Sequence, residues 1–193
     1  MFMTEVKTKI ETLEAEIEAK KNELTELRRA MPKLRVPDLE LKDSSGNLLT
    51  LRQMFGQYKD LIVIHNMGQA CSYCSLWADG LNGLVPHLLS RSALYLVSQD
   101  EPEAMRAFAE SRGWKFPLAS AFGSNFSETM EFGQDGGSTD PGFSTLRLND
   151  DGTIDRLSYA HFGPGDDHCG IWFMLPLLQD GIAGWSPKHV DVR

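Results

Sequence analysis

The sequence predicts an α/β fold: a mixed central sheet with helices on both faces, plus a long N-terminal helix. Three observations carry this reading. The apolar runs Leu61-Ile62-Val63-Ile64 and Ala93-Leu94-Tyr95-Leu96-Val97 are each followed by a helical stretch, the order that builds parallel strands. Near the C-terminus, residues 144–148 and 154–161 flank Asp150-Asp151-Gly152, a hairpin signal that adds antiparallel strands. Over residues 4–31, apolar residues recur at alternating steps of four and three, the period of a helix with one narrow stripe.

That first helix places Val6, Ile10, Leu13, Ile17, Leu24, Leu27 and Met31 on the stripe, with Lys20 where an apolar residue is due. Pro32 ends it. The seam is heptad-like and permits a homodimer through residues 4–31; an arm packed on its own domain or a neighbour's is the other reading. The expected organisation is a helical arm over 1–32 and one domain over 33–193. Residues 36–43 read as an extended piece turned by Ser44-Ser45-Gly46-Asn47, with a return over 48–51 and a short helix over 51–55.

A strand over 61–65 follows, then a cysteine-bearing loop. A helix runs from about 74 to 89, broken near Gly80, Gly83 and Pro86. After the strand over 93–98, Asp100 reads as a helix cap with Pro102 in the first turn. Residues 116–119 are extended, 122–132 are ambiguous, 133–142 are a glycine-rich loop, and 171–178 form the last helix.

The chain has 193 residues, 41% of them hydrophobic, enough for an ordinary core. A formal net charge of -8 argues against nucleic acid or an anionic membrane as partner. No apolar run reaches membrane-spanning length, and the start Met1-Phe2-Met3-Thr4-Glu5 has no apolar signal core, so a cytoplasmic protein is expected. Three cysteines in a reducing compartment are not a structural disulfide framework.

The informative cysteines are Cys71-Ser72-Tyr73-Cys74, at a strand-to-helix junction. There the free N–H groups and positive dipole end of the helix favour thiolate over thiol. Cys71, first and nearest the loop, is the expected nucleophile, and Cys74, one turn in, the resolving thiol. The substrate class is a protein or small-molecule disulfide. No cofactor and no resident metal is expected. Zinc knuckles share the spacing, however, and Cys169 and His168 would complete a set of three cysteines and one histidine, or a distant histidine such as His161 a copper site, so a zinc- or copper-binding protein stays open. A non-catalytic binding or assembly module with an oligomerising helix is the remaining alternative.

The order of elements, with Cys71-x-x-Cys74 ending a βα unit, resembles the thioredoxin fold. The entry Val36-Pro-Asp-Leu-Glu-Leu-Lys-Asp is similar to the peroxiredoxin-like branch of that superfamily. Further segments resemble a bacterial thioredoxin-like family of unknown function, domain-of-unknown-function family 899. They are Arg28-Arg29-Ala30-Met31-Pro32, Cys71-Ser-Tyr-Cys-Ser-Leu-Trp-Ala-Asp79 and Gly113-Trp-Lys-Phe-Pro-Leu-Ala-Ser-Ala-Phe-Gly-Ser-Asn-Phe126.

The thioredoxin resemblance implies that His65 takes the place of a buried acid beneath the cysteines and assists proton transfer. It also aligns Phe143 with the position of a cis-proline that contacts substrate. Ser72 and Tyr73, between the cysteines, are assigned with Phe143 to substrate binding. The peroxiredoxin resemblance implies a Pro-x-x-x-Thr/Ser-x-x-Cys frame. Ile64 and Gly68 stand at those positions relative to Cys71, and Met67 and Cys71 relative to Cys74, so dithiol exchange ranks above peroxide reduction.

Overall fold

The computed structural model describes residues 3–133 and 139–189. The chain divides into two compact units, Met1–Lys33 and Leu34–Arg193. The first is one helix, α1 (Met3–Arg29), which buries none of its residues. It has no Gly or Pro inside it. Pairs such as Lys7–Glu11 at 3.9 Å and Lys20–Glu23 at 2.6 Å brace its surface, and Arg28 and Arg29 complement the negative end of its dipole. It stops short of the expected residue 31 because a residue preceding proline is driven out of the helical region.

Among the described residues the second unit is built on one sheet of eight strands: β1 (Leu34–Val36), β2 (Glu40–Asp43), β3 (Leu48–Thr50), β4 (Asp60–Asn66), β5 (Ala93–Ser98), β6 (Leu118–Ser120), β7 (Gly142–Leu148) and β8 (Ile154–His161). Their spatial order is β1-β8-β7-β4-β5-β6-β2-β3. β4, β5 and β6 run parallel, and every other pairing is antiparallel. The predicted mixed sheet is therefore present, with one difference at its start. The piece expected over 36–43 is split: β1 pairs with β8 at one edge, and β2 pairs with β6 near the other.

The split fixes the shape of the sheet. From Val36 to Glu40 the chain can reach at most about 15 Å. In a flat sheet the first and seventh strands would lie about 29 Å apart. The sheet must curl. Its inner face encloses a core of Val36, Leu41, Leu61, Val63, Leu146 and Ile154, closed by Leu51 and Met54 of α2 (Leu51–Met54) and Phe126 of α6 (Phe126–Thr129). The outer face carries Ile64, Leu94 and Leu96. It is covered by Trp77 and Ala78 of α3 (Ser72–Asn82), Val85 of α4 (Val85–Leu89) and Trp172 of α7 (Ile171–Met174). Helices thus lie on both faces.

Two smaller expectations change. Asp100 does not cap α5 (Pro102–Ser111); Glu101 holds the cap position, without a side-chain hydrogen bond. The last helix is α7 followed by a 3-10 turn, Leu175–Leu177, because Pro176 removes a donor. Of the loop expected over 133–142, residues 134–138 lie outside the described residues, and Gly133 and Thr139 form an isolated bridge.

Candidate active site

The site begins at the carboxyl end of β4. Asn66 turns its side-chain oxygen back to accept the N–H of Gly68 at 2.8 Å, and Gly68 takes φ +101°, a left-handed value that favours glycine. The next N–H, of Gln69, donates to the carboxylate of Asp100 at 2.8 Å. A Cβ on Gly68 would stand 2.7 Å from that carboxylate, so loop and acid fit only because the residue is glycine. Asp100 follows β5, the parallel neighbour of β4, so the acid and the cysteine loop leave the sheet at the same edge.

This pinned loop delivers Cys71 to the N-cap of α3. The expected helix start near 74 is two residues late. Cys71 itself occupies the capping position, and its sulfur accepts the backbone N–H of Cys74 at 3.1 Å, as a serine or aspartate oxygen would. The Cys71 carbonyl accepts both the N–H of Ser75 at 3.1 Å and the Ser75 hydroxyl at 3.2 Å, which fixes the first turn.

The two thiols are strongly differentiated. Cys71 is partly exposed, and its pKa is lowered to about 6. The largest cause is a hydrogen bond from the Cys74 thiol, and backbone N–H groups of Cys74 and Tyr73 and the charge of His189 act the same way against burial. Cys74 is buried at 2% exposure, and its pKa is raised, first by donating to Cys71 and then by desolvation. At neutral pH the pair holds one thiolate, on Cys71, and one proton, on Cys74. Both are free thiols, and so is Cys169.

The surroundings assign the other predicted residues. Tyr73 turns onto the outer-face cluster, its ring 6.1 Å from Trp77 and 6.2 Å from Trp172. Ser72 lines a cleft of about 380 Å³ with Leu76, Asp79, Arg112 and the segment 185–188. In the wall of that cleft Asp79 receives Arg112 through Nε at 2.9 Å and through a second guanidinium nitrogen, and it receives the Trp114 indole N–H at 2.8 Å. Phe143 is half-buried, 6.1 Å from Phe162 and 5.1 Å from His168, on the same sheet face as Ile64 with which it pairs. Every peptide bond of the described residues is trans. Cys169 is buried in the cluster of Trp77 and Trp172, with its pKa raised by desolvation.

The structure does not bring His65 to the cysteines, and its expected part in proton transfer is corrected. Successive strand residues point to opposite faces. Ile64 packs with Trp77 and Ala78 of α3, so His65 faces the inside of the curl. There its Nε2 is 2.9 Å from the Ser144 hydroxyl, and the Phe132 ring stacks on it at 3.7 Å. Burial lowers its pKa to about 3, with the charges of Arg156 and His161 adding, so it is neutral at any ordinary pH. The ligand set Cys71, Cys74, His168 and Cys169 is not assembled either. Among the described residues no three His, Cys, Asp or Glu side chains converge as metal ligands.

Three contributors escaped the sequence reading: Asp100 behind the loop, the Asp79–Arg112 pair in the cleft wall, and His189 near the thiolate. Only Asp100 had a sequence signal. It follows a strand parallel to the one that feeds the cysteine loop, and in such sheets sites gather at the carboxyl ends of neighbouring strands.

With this geometry in place, comparison with known proteins gives the following. The family described as bacterial protein of unknown function (DUF899) matches residues 4–175. The chain belongs to that family. No curated protein is detectably similar in sequence. Among solved structures, peroxiredoxin Q of Xanthomonas campestris is similar at 20% identity and a TM-score of 0.57, covering 72% of this chain and 90% of that one. Peroxidoxin BcpB of Mycobacterium tuberculosis is similar at 19% identity and a TM-score of 0.53, covering 66% and 82%. Reduced Prx3 of Vibrio vulnificus, solved in complex with hydrogen peroxide, is similar at 14% identity and a TM-score of 0.56, covering 70% and 90%. These likenesses show the thioredoxin-like fold of the DUF899 chain. No helix among its described residues is long and apolar enough to cross a membrane.

Proposed function

We propose that this DUF899 protein is a thiol-disulfide oxidoreductase with Cys71 as nucleophile and Cys74 as resolving thiol. The observation that carries the reading is the opposite displacement of the two thiols, Cys71 down to about 6 and Cys74 up. The Cys71 thiolate attacks one sulfur of a substrate disulfide, forming a mixed disulfide and expelling the other sulfur as thiolate. That step removes the charge from Cys71. It also removes the hydrogen bond and the repulsion that hold the Cys74 proton in place, while the backbone N–H groups of Met67 and Cys74 that favour its anion remain. Cys74 then loses its proton to solvent or to the departing thiolate and attacks the Cys71 sulfur. The second substrate thiolate leaves, and the protein holds a Cys71–Cys74 disulfide, two electrons more oxidised than at the start. An external thiol reductant resets it.

Solvent or the departing thiolate takes the proton, so the second step requires no side-chain base, in keeping with the contacts of His65 to Ser144 and Phe132 on the far face. The cleft that Ser72 lines is the route for substrate. The experiment is disulfide reduction by wild type and Cys71→Ser, with a search for a trapped mixed disulfide in Cys74→Ser. Equal activity of wild type and Cys71→Ser would end the proposal.

Peroxide reduction is the second reading, favoured by the fold shared with a peroxiredoxin solved with hydrogen peroxide. Here Cys71 thiolate takes the terminal peroxide oxygen and becomes a sulfenic acid, the rest leaving as water or alcohol, and Cys74 condenses with it to a disulfide and water. One equivalent of peroxide consumed per Cys71–Cys74 disulfide, with no turnover of a disulfide substrate, would place this reading first.

A further inference from the structure

We propose that α1 pairs with the α1 of a second copy of this chain as a parallel, two-stranded coiled coil. The seam of α1 is exposed where a packed helix would be buried: Ile10 is 49% exposed, Leu13 47%, Ile17 53%, Leu24 44% and Leu27 62%. Assigned to a heptad, Ile10, Ile17 and Leu24 fall at a positions and Val6, Leu13 and Leu27 at d positions. Branched Ile at a with Leu at d is the combination that favours two parallel strands. A shallow concavity of about 360 Å³ on this face is lined by Leu13, Glu16, Ile17, Lys20, Lys21 and Leu24. These are a, d, e and g residues, the walls of a hole into which a partner's knob fits.

Charge commits the occupant to a second copy and sets its direction. In a parallel pair each g residue meets the e residue five positions on in the other chain. Here the g residues are Lys9, Glu16 and Glu23, and the e residues they meet are Glu14, Lys21 and Arg28. All three contacts are of opposite sign, and two-fold symmetry repeats each. An antiparallel pair sets g against g and e against e. That brings Glu16 near Glu23 and Lys7 near Arg28, like against like, and leaves Glu14 near Lys21 as the one contact of opposite sign among them. Lys20, at the remaining d position, already extends from the seam to Glu23 at 2.6 Å, so its ammonium reaches the rim while its stem stays in the seam. A polar residue at one core layer is also a device that penalises other registers.

The test uses the full chain. Sedimentation equilibrium should find a dimer. Val6→Cys, oxidised and mapped by peptide mass spectrometry, should link position 6 to position 6 of the partner. In an antiparallel pair those positions lie more than about 30 Å apart. Glu16→Lys/Glu23→Lys should dimerise about tenfold more weakly, and so should Lys21→Glu/Arg28→Glu, while an equimolar mixture of the two should recover the dimer. A monomeric wild type would overturn the proposal. So would a dimer without the 6–6 link, or one that neither charge variant weakens.

Discussion

The backbone N–H of Cys74 points at the Cys71 sulfur from 3.1 Å, so the helix that carries Cys74 also acidifies Cys71. With its pKa lowered to about 6, Cys71 is mostly thiolate at pH 7, where an ordinary thiol is mostly protonated. Alkylation of Cys71 should therefore rise with pH through a midpoint near 6 and then level off. Because the Cys74 thiol is the first cause of that lowering, Cys74→Ala should move the midpoint up and slow alkylation at pH 6 roughly fivefold. Cys74→Ser keeps a donor and should move it less. A midpoint indifferent to Cys74→Ala would assign the acidity to the backbone N–H groups and the His189 charge.

Asp100 and Gly68 set the loop that presents the sulfur. Gly68→Ala adds a Cβ 2.7 Å from the Asp100 carboxylate at a φ of +101°, so both sterics and backbone oppose it. The expected cost is about 1–3 kcal/mol. It should appear as a drop in thermal stability together with a higher Cys71 midpoint, since the loop that seats Cys71 on the cap is displaced. Asp100→Asn, which retains an acceptor for the Gln69 N–H, should be milder in both readouts.

Much of this was legible before the structure. The strands at 93–98, 144–148 and 154–161 announce themselves by apolar runs and a turn, and the cysteine pair by its place after a buried strand. The helix starts two residues before the expected 74 because Cys71, a residue type outside the usual caps, holds the N-cap. The face of His65 follows from strand alternation, and overlay on another family's acid obscured that local rule. The destinations of β1 and β2, on opposite sides of the curled sheet, depend on pairings with β8 and β6 more than seventy residues away. Nothing local encodes such pairings.

His65 carries a pH dependence of its own. Its folded pKa of about 3 lies below the ordinary 6.5, so the unfolded chain binds the proton first. Its contribution to stability is whole above pH 6.5 and is lost as pH falls from there through about 3. Between pH 6.5 and 5 most carboxylates stay ionised, so the loss in that window belongs to histidine and, through protonation of its thiolate near 6, to Cys71. Only the histidine part is removed with His65. Wild type should lose about 1–2 kcal/mol there in urea titrations, and His65→Gln, less stable at pH 7 through the lost Phe132 stack, should lose less. Parallel pH curves for the two would assign the loss elsewhere.

The Asp79–Arg112 pair lines the cleft proposed as the substrate route, yet its first duty is structural. Arg112 is 8% exposed, and the Asp79 carboxylate takes two of its N–H groups and the Trp114 indole N–H. Asp79→Ala would leave a guanidinium and an indole donor in the cleft wall without that acceptor. Removing one partner of a buried pair costs about 3–5 kcal/mol; Asp79 is partly exposed, so about 3 kcal/mol is expected. Asp79→Asn keeps an acceptor but not the charge, and should recover part of the loss. If the cleft is the substrate route, a folded Asp79→Asn should also show a changed KM for the disulfide while the Cys71 midpoint stays near 6. An unchanged KM would leave the pair with a purely architectural role and send the search for the substrate path to the other side of Cys71.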